Sequence, residues 1–77
     1  MRPLVGELFA DAEKYLKDSL RLDAYQPLVH NTLGAVYLQQ GKRAEAKEEF
    51  LKALAIDPES VFPRLNLQEM AKKILSP

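Results

Sequence analysis

The chain has no cysteine and no net charge, and both absences narrow its function. Without cysteine, neither a disulfide framework nor a thiolate metal site can hold the fold together, so packing must do so. Eleven basic residues balance eleven acidic ones, giving a formal charge of zero. The chain therefore lacks the excess of positive charge expected of a protein that binds nucleic acid or an anionic membrane. We therefore expect a protein or peptide partner, with no nucleic acid and no membrane.

Long apolar runs are also missing. The longest are only a few residues, far below the roughly 20 needed to cross a bilayer. The first residues, Met1-Arg2-Pro3-Leu4, lack the apolar stretch and small-residue cleavage site of a secretory signal. These absences favour a soluble chain in a reducing compartment, so we expect a cytoplasmic location.

Histidine, the commonest catalytic base and metal ligand, occurs only once. His30 is the single histidine of the chain, and a zinc site would need further ligands from acidic residues on neighbouring helices. The serine and threonine hydroxyls have no other conventional base beside them. We expect His30 to pack between helices, and we expect no metal, no cofactor and no enzymatic activity.

What the sequence does contain is helical periodicity between clear breaks. Of its 77 residues, 47% are hydrophobic and 29% charged, which is typical of one folded domain, here residues 1–77. Pro27, Gly41 and Asp57-Pro58 separate stretches whose apolar residues recur at the period of a helix. We predict an all-α fold of about four helices, at about 7–22, 27–40, 43–56 and 61–75. Their short connections imply antiparallel neighbours.

The chain repeats itself at a spacing of 34 residues. Sliding it by this distance aligns Ala12 with Ala46, Leu20 with Leu54, and Asp23 with Asp57. Within the full copy, the residues His30-x-x-Leu33-Gly34-x-x-Tyr37 and Ala46-x-x-x-Phe50, followed by Ala53 and Pro58, have the spacing of a tetratricopeptide repeat. The sequence resembles that family. It departs from the family pattern at His30, where a large apolar residue is usual, and at Lys42.

The resemblance implies how the chain is organised. Residues 27–60 correspond to a full repeat, residues 6–26 to the second helix of a partial repeat, and residues 61–77 to a capping helix with a polar outer face. Stacked antiparallel helical hairpins of this kind form an α-solenoid. The residues expected to pack the repeat are His30, Leu33, Gly34, Tyr37, Ala46, Phe50, Ala53 and Pro58. Where helices cross this closely, we expect Gly34→Leu to destabilise the fold and Gly34→Ala to be nearly neutral.

The resemblance also implies a binding surface. In tetratricopeptide proteins the first helices of successive repeats line a concave groove that binds peptides. The corresponding residues here are Leu28, Asn31, Thr32, Ala35, Leu38, Gln39, Phe62, Leu65, Asn66 and Glu69. Some family members hold a carboxylate in this groove with basic and amide side chains. Ala35 and Glu69 stand where such side chains would be needed, which makes an anionic peptide terminus a poor ligand.

Self-assembly is the alternative function, either as a homo-oligomer or as the end of a longer repeat array. The first helix carries an apolar stripe too wide for the single following helix to cover, and contiguous apolar patches often mark contact surfaces. The residues concerned are Leu8, Phe9, Ala12, Tyr15 and Leu16. Through them we expect a homodimer, formed by pairing of this helix with its counterpart or by exchange of helices. An RNA-reading helical repeat is disfavoured because it would need a basic stripe.

Overall fold

The described residues form four α-helices. The computed structural model describes the backbone of residues 5–75 and the side chains of residues 8–72. The helices are α1 (Val5–Leu22), α2 (Pro27–Gln39), α3 (Arg43–Ile56) and α4 (Val61–Leu75), and no strand occurs among the described residues. The predicted all-α fold is confirmed. No helix in the described part of the chain is both long and apolar enough to span a bilayer.

The helices form a thin layer in which neighbours along the chain are neighbours in space. The most extensive contact is between α2 and α3, followed by α1 with α2 and α3 with α4. α2 also touches α4, so these two helices lie side by side across one face. The principal extents are 39 × 39 × 17 Å. Such a shape leaves much surface exposed on both faces of the layer.

The turn between α2 and α3 depends on Gly41. This residue has φ of +80°, the left-handed conformation that side-chain-bearing residues rarely adopt. Around it, the Gly41 N–H donates to the Leu38 carbonyl at 3.0 Å, and the Lys42 N–H donates to the Tyr37 carbonyl at 2.8 Å. These two bonds are a Schellman motif, which satisfies carbonyls that the end of a helix leaves unpaired. The break that the sequence predicts at Gly41 is thus the left-handed residue that ends α2.

The other two turns are copies of each other. In the first, the Tyr25 N–H donates to the Asp23 carboxylate at 2.9 Å; in the second, the Glu59 N–H donates to the Asp57 carboxylate at 3.2 Å. Both are turns in which an aspartate side chain bonds the backbone two residues on. Because Asp23 and Asp57 are 34 residues apart, the sequence repeat is also a repeat of local structure.

The core lies between α2 and α3 and is closed by α4. Leu33, Tyr37, Ala46, Phe50 and Met70 form one buried cluster. Leu16 and Leu20 of α1, Leu38 of α2 and Leu67 of α4 pack against it while remaining half-buried. Of the residues expected to pack the repeat, those buried are His30, Leu33, Gly34, Tyr37, Ala46, Phe50 and Ala53. Pro58 is exposed, so the expectation that it packs the repeat is wrong, because it lies in the turn before α4.

Gly34 marks the closest approach of α2 and α3. A Cβ atom added there would lie 2.6 Å from Phe50 Cε1 and 2.8 Å from Cδ1. Real Cβ atoms do not come that close, and the fully buried Phe50 ring has no space to retreat into. The expectation that Gly34→Ala is neutral therefore fails, because even a methyl group overpacks this crossing.

We predict that Gly34→Ala lowers the free energy of unfolding by about 1–3 kcal/mol, and that Gly34→Leu lowers it further. The gain in helix propensity, up to about 1 kcal/mol, does not compensate. Urea denaturation measures the change. If contact with Phe50 is the cause, the alanine will cost less in a Phe50→Leu background, because residues in contact give non-additive effects. Equal costs in both backgrounds would show that the crossing is not limited by this ring.

Candidate functional site: the face shared by α2 and α4

Three large apolar side chains are exposed along one face of the layer. Leu28 of α2 is 68% exposed, and Phe62 and Leu65 of α4 are 65% and 49% exposed. Leu28 and Phe62 occupy the same position in the 34-residue repeat. Neither helix buries these side chains in the described fold, although each would gain from leaving water.

An amide pair joins the two helices on this face. The Asn66 side-chain amide donates to the Asn31 Oδ1 atom at 2.9 Å. Both residues are half-buried, and each amide keeps further donor and acceptor capacity. The Thr32 hydroxyl, by contrast, donates within its own helix to the Leu28 carbonyl at 2.9 Å. The asparagine pair thus offers polar groups to a ligand and also fixes the spacing of α2 and α4.

A small cavity of about 340 Å³ opens at one end of the same face. Four of the residues predicted to face a groove line it, namely Leu38, Gln39, Asn66 and Glu69, together with Arg43 and Met70. Leu28, Thr32, Ala35, Phe62 and Leu65 do not line it; of the ten predicted residues, only Asn31 and Asn66 make a side-chain hydrogen bond between the helices.

Arg43 is the residue of this site that sequence reasoning missed. Its guanidinium donates to the Met70 carbonyl at 3.1 Å and so connects the start of α3 to α4. The sequence places Arg43 beside Lys42, and this pair predicts only a solvated basic turn. The two side chains separate in the fold, since Lys42 extends instead towards Glu13 of α1, at 3.5 Å. Only the packing of α4 places Arg43 at the cavity, which is also lined by the oppositely charged Glu69.

The family comparison matches this arrangement of helices. A family model described as tetratricopeptide repeat matches residues 27–60, which span α2, the Gly41 turn and α3. Residues 27–60, which match that model, are named the tetratricopeptide repeat. Such repeats generally mediate protein–protein interaction. No match is found among curated proteins or among solved structures.

Inside the tetratricopeptide repeat, His30 forms a buried polar connection. Its Nε2 atom lies 2.9 Å from the Ala24 carbonyl, which can only accept, so Nε2–H is the donor. Its Nδ1 atom lies 2.7 Å from Glu49 Oε1, and one proton must lie between those two atoms. The histidine thereby ties the α1–α2 turn, α2 and α3 together. The two side chains are only 9% and 10% exposed.

Lys52 completes this connection within the repeat. Its ammonium lies 3.2 Å from the second Glu49 oxygen and 3.7 Å from Glu48. The hydrogen bond to Glu49 is the main reason that the pKa of Lys52 is raised, and partial burial opposes it.

Among the described residues, no cluster of three His, Asp or Glu side chains could hold a metal ion. Both ring nitrogens of His30 are already engaged in structural hydrogen bonds.

On the opposite side of the tetratricopeptide repeat, α1 is held by a pair of lysines around Glu13. Lys17 lies 2.8 Å from the Glu13 carboxylate, and both Lys17 and Lys42 lie 5.7 Å from the centre of the Tyr37 ring. The hydrogen bond from Lys17 lowers the pKa of Glu13. This contact is therefore present above the usual carboxyl range and is lost as the pH falls through the lowered pKa.

The residues predicted for self-association divide into two groups. Leu8 and Tyr15 are exposed, Tyr15 at 75%. Phe9, Ala12 and Leu16 are half-buried, and Leu16 packs on the core of the repeat. The face of α1 that remains open therefore runs through Leu8 and Tyr15, with Leu22 at its end.

We predict that Glu49→Leu destabilises the fold by about 1–3 kcal/mol, because it leaves the buried His30 nitrogen without a partner. Glu49→Gln keeps a hydrogen-bonding group there, so its cost should be smaller. Thermal unfolding monitored by circular dichroism at neutral pH compares the variants. Glu48→Leu is the matched control, since Glu48 also lies near Lys52 but is exposed. A Glu49→Leu protein as stable as the control would mean that the His30 contact contributes nothing.

Proposed function

We propose that the chain is a docking module that binds a peptide segment of a partner protein on the face shared by α2 and α4. The observation that carries this proposal is the exposure of Leu28, Phe62 and Leu65 on helices joined by the Asn31–Asn66 pair. Apolar side chains of a ligand would cover the three residues, and its backbone would bond the amides. Ligand sites commonly combine an apolar surface with a few fixed polar groups in this way.

The charges of the site limit the class of ligand. Arg43 and Glu69 line the same cavity with opposite charge, so neither an anionic nor a cationic segment gains a net advantage there. An apolar segment with few charges fits best. A soluble, cytoplasmic protein with neither enzymatic nor nucleic-acid-binding activity is consistent with this role, and these attributes are part of the proposal.

A selected peptide tests the docking face. A displayed library of random peptides is enriched on the wild-type chain, and the affinity of the selected peptides is then measured by fluorescence anisotropy. We predict that Leu65→Glu weakens binding about 10- to 100-fold, since burying a leucine contributes about 1.5–3 kcal/mol and each 1.4 kcal/mol is a factor of ten.

Leu51→Glu is the matched control for this measurement, because Leu51 of α3 is also 49% exposed and lies outside the proposed face. Its affinity should stay at the wild-type value. Peptides that bind both variants equally, or a library from which none is enriched, would contradict the proposal.

Self-association through the open face of α1 is the second candidate function. It is favoured by the exposure of Leu8 and Tyr15 on one helix. Because Phe9 is half-buried by its own chain, Tyr15 is the better residue at which to test this face. The same open face would also serve if the chain were the end of a longer repeat array.

We predict that the mass measured by sedimentation velocity rises above the 8.7 kDa of one chain as concentration increases, and that Tyr15→Arg suppresses the rise. A buried uncompensated cation in the contact is the physical reason. Tyr25→Arg is the control, because Tyr25 is 81% exposed in the α1–α2 turn. A wild-type chain that stays monomeric at high micromolar concentration contradicts self-association.

A further inference from the structure

α4 follows α3 through the same kind of turn by which α2 follows α1. Two equivalent hydrogen bonds show this similarity. His30 Nε2 donates to the carbonyl of Ala24, six residues before it, at 2.9 Å. Arg64 Nη2 donates to the carbonyl of Pro58, also six residues before it and also at 2.9 Å. Both carbonyls lie in the two equivalent aspartate turns. Arg64 therefore occupies the place of His30 in a further copy of the repeat.

This equivalence identifies two surfaces, one on α4 and one on α1, that correspond to the two sides of the α2–α3 interface. Within the tetratricopeptide repeat, α2 buries His30, Leu33, Gly34 and Tyr37 against α3, which buries Ala46, Glu49, Phe50 and Ala53. The residues equivalent to the α2 set are Arg64, Leu67, Gln68 and Ala71 of α4. The residues equivalent to the α3 set are Ala12, Tyr15, Leu16 and Ser19 of α1. Every one of these eight is exposed or only half-buried, whereas its counterpart is buried.

We propose that α4 of one copy of this chain packs on α1 of another, so that the two helices complete a repeat between chains. This inference rests on the self-association proposed above and names the surface that covers α1. The occupant is a second copy because the chain carries both halves, and because the template is an interface that the chain already makes between α2 and α3.

The side chains at the two faces are complementary in charge and in size. Arg64, in the place of His30, would meet Tyr15, in the place of Glu49, with Asp18 one turn further along α1. Arginine favours both an aromatic ring and a carboxylate. Gln68 takes more space than Gly34 does, but Ala71 takes less than Tyr37, and Leu16 replaces the Phe50 ring. Packing tolerates such redistribution of volume better than it tolerates a net excess.

The arrangement predicts a distinctive kind of assembly. A contact between two different faces is head-to-tail, so it continues from chain to chain until a ring closes or a fibre grows. A contact of α1 with its own counterpart would instead stop at a dimer. Blocking one face on one chain and the other face on a second chain separates the two geometries.

Two exposed residues provide these blocks: Tyr15→Arg on α1, which would place a second cation against Arg64, and Ala71→Glu on α4. Sedimentation velocity is run on each variant and on their equimolar mixture, with circular dichroism to verify helical content. We expect the wild type to exceed the mass of two chains at high concentration. Each variant alone should be monomeric, and the mixture should form a one-to-one dimer through the single interface whose two faces are both intact.

Three outcomes overturn the inference and differ from one another. A monomeric wild type removes self-association altogether, while peptide docking on α2 and α4 is unaffected. An Ala71→Glu protein that assembles like the wild type shows that α4 is not used and that α1 finds another surface. A mixture that stays monomeric shows that the two faces do not meet. Lys47→Glu, an equivalent acidic change on exposed α3 surface, should assemble like the wild type, and Gln68→Arg provides a second block on α4.

Discussion

The close crossing of α2 and α3 at Gly34 is the contact on which the rest of the fold depends. The ring of Phe50 fills the space that a side chain at position 34 would need, and this ring is itself fully buried. Because a core of this size has few residues, its density comes from matching a missing side chain to a large one. α1 and α4 then pack on a pair of helices whose spacing is already fixed.

A buried polar connection accompanies the apolar one. His30 donates to the backbone of the α1–α2 turn while its other nitrogen meets Glu49 of α3, so a single side chain sets the position of three segments. Buried polar groups are costly without partners, and both nitrogens of His30 and both carboxylate oxygens of Glu49 have one. Arg64 makes the equivalent turn contact at α4 but is exposed, whereas His30 is buried.

The thinness of this layer underlies the proposed function. A fold with extents of 39 × 39 × 17 Å cannot bury both faces of every helix, so Leu28, Phe62 and Leu65 stay exposed on one face and Tyr15 at one end. Those two surfaces are separate, and we propose different partners for them: a peptide along α2 and α4, and α4 of a second copy on α1. A repeat protein uses both kinds of contact because each of its helical pairs packs on neighbours and still presents a groove.

The sequence alone determined the helices, the turn at Gly41 and the repeat, because these depend on local periodicity and on residues a fixed distance apart. It also indicated a close helix crossing at Gly34, although not that the Phe50 ring leaves no room even for a methyl group. Tertiary structure decided the rest. Glu49 looks like any charged residue of a helix until α2 brings His30 to it, and Arg43 looks like part of a basic turn until α4 brings Met70 to it. Such partners are distant in the chain, and burial and charge pairing arise only when the helices meet.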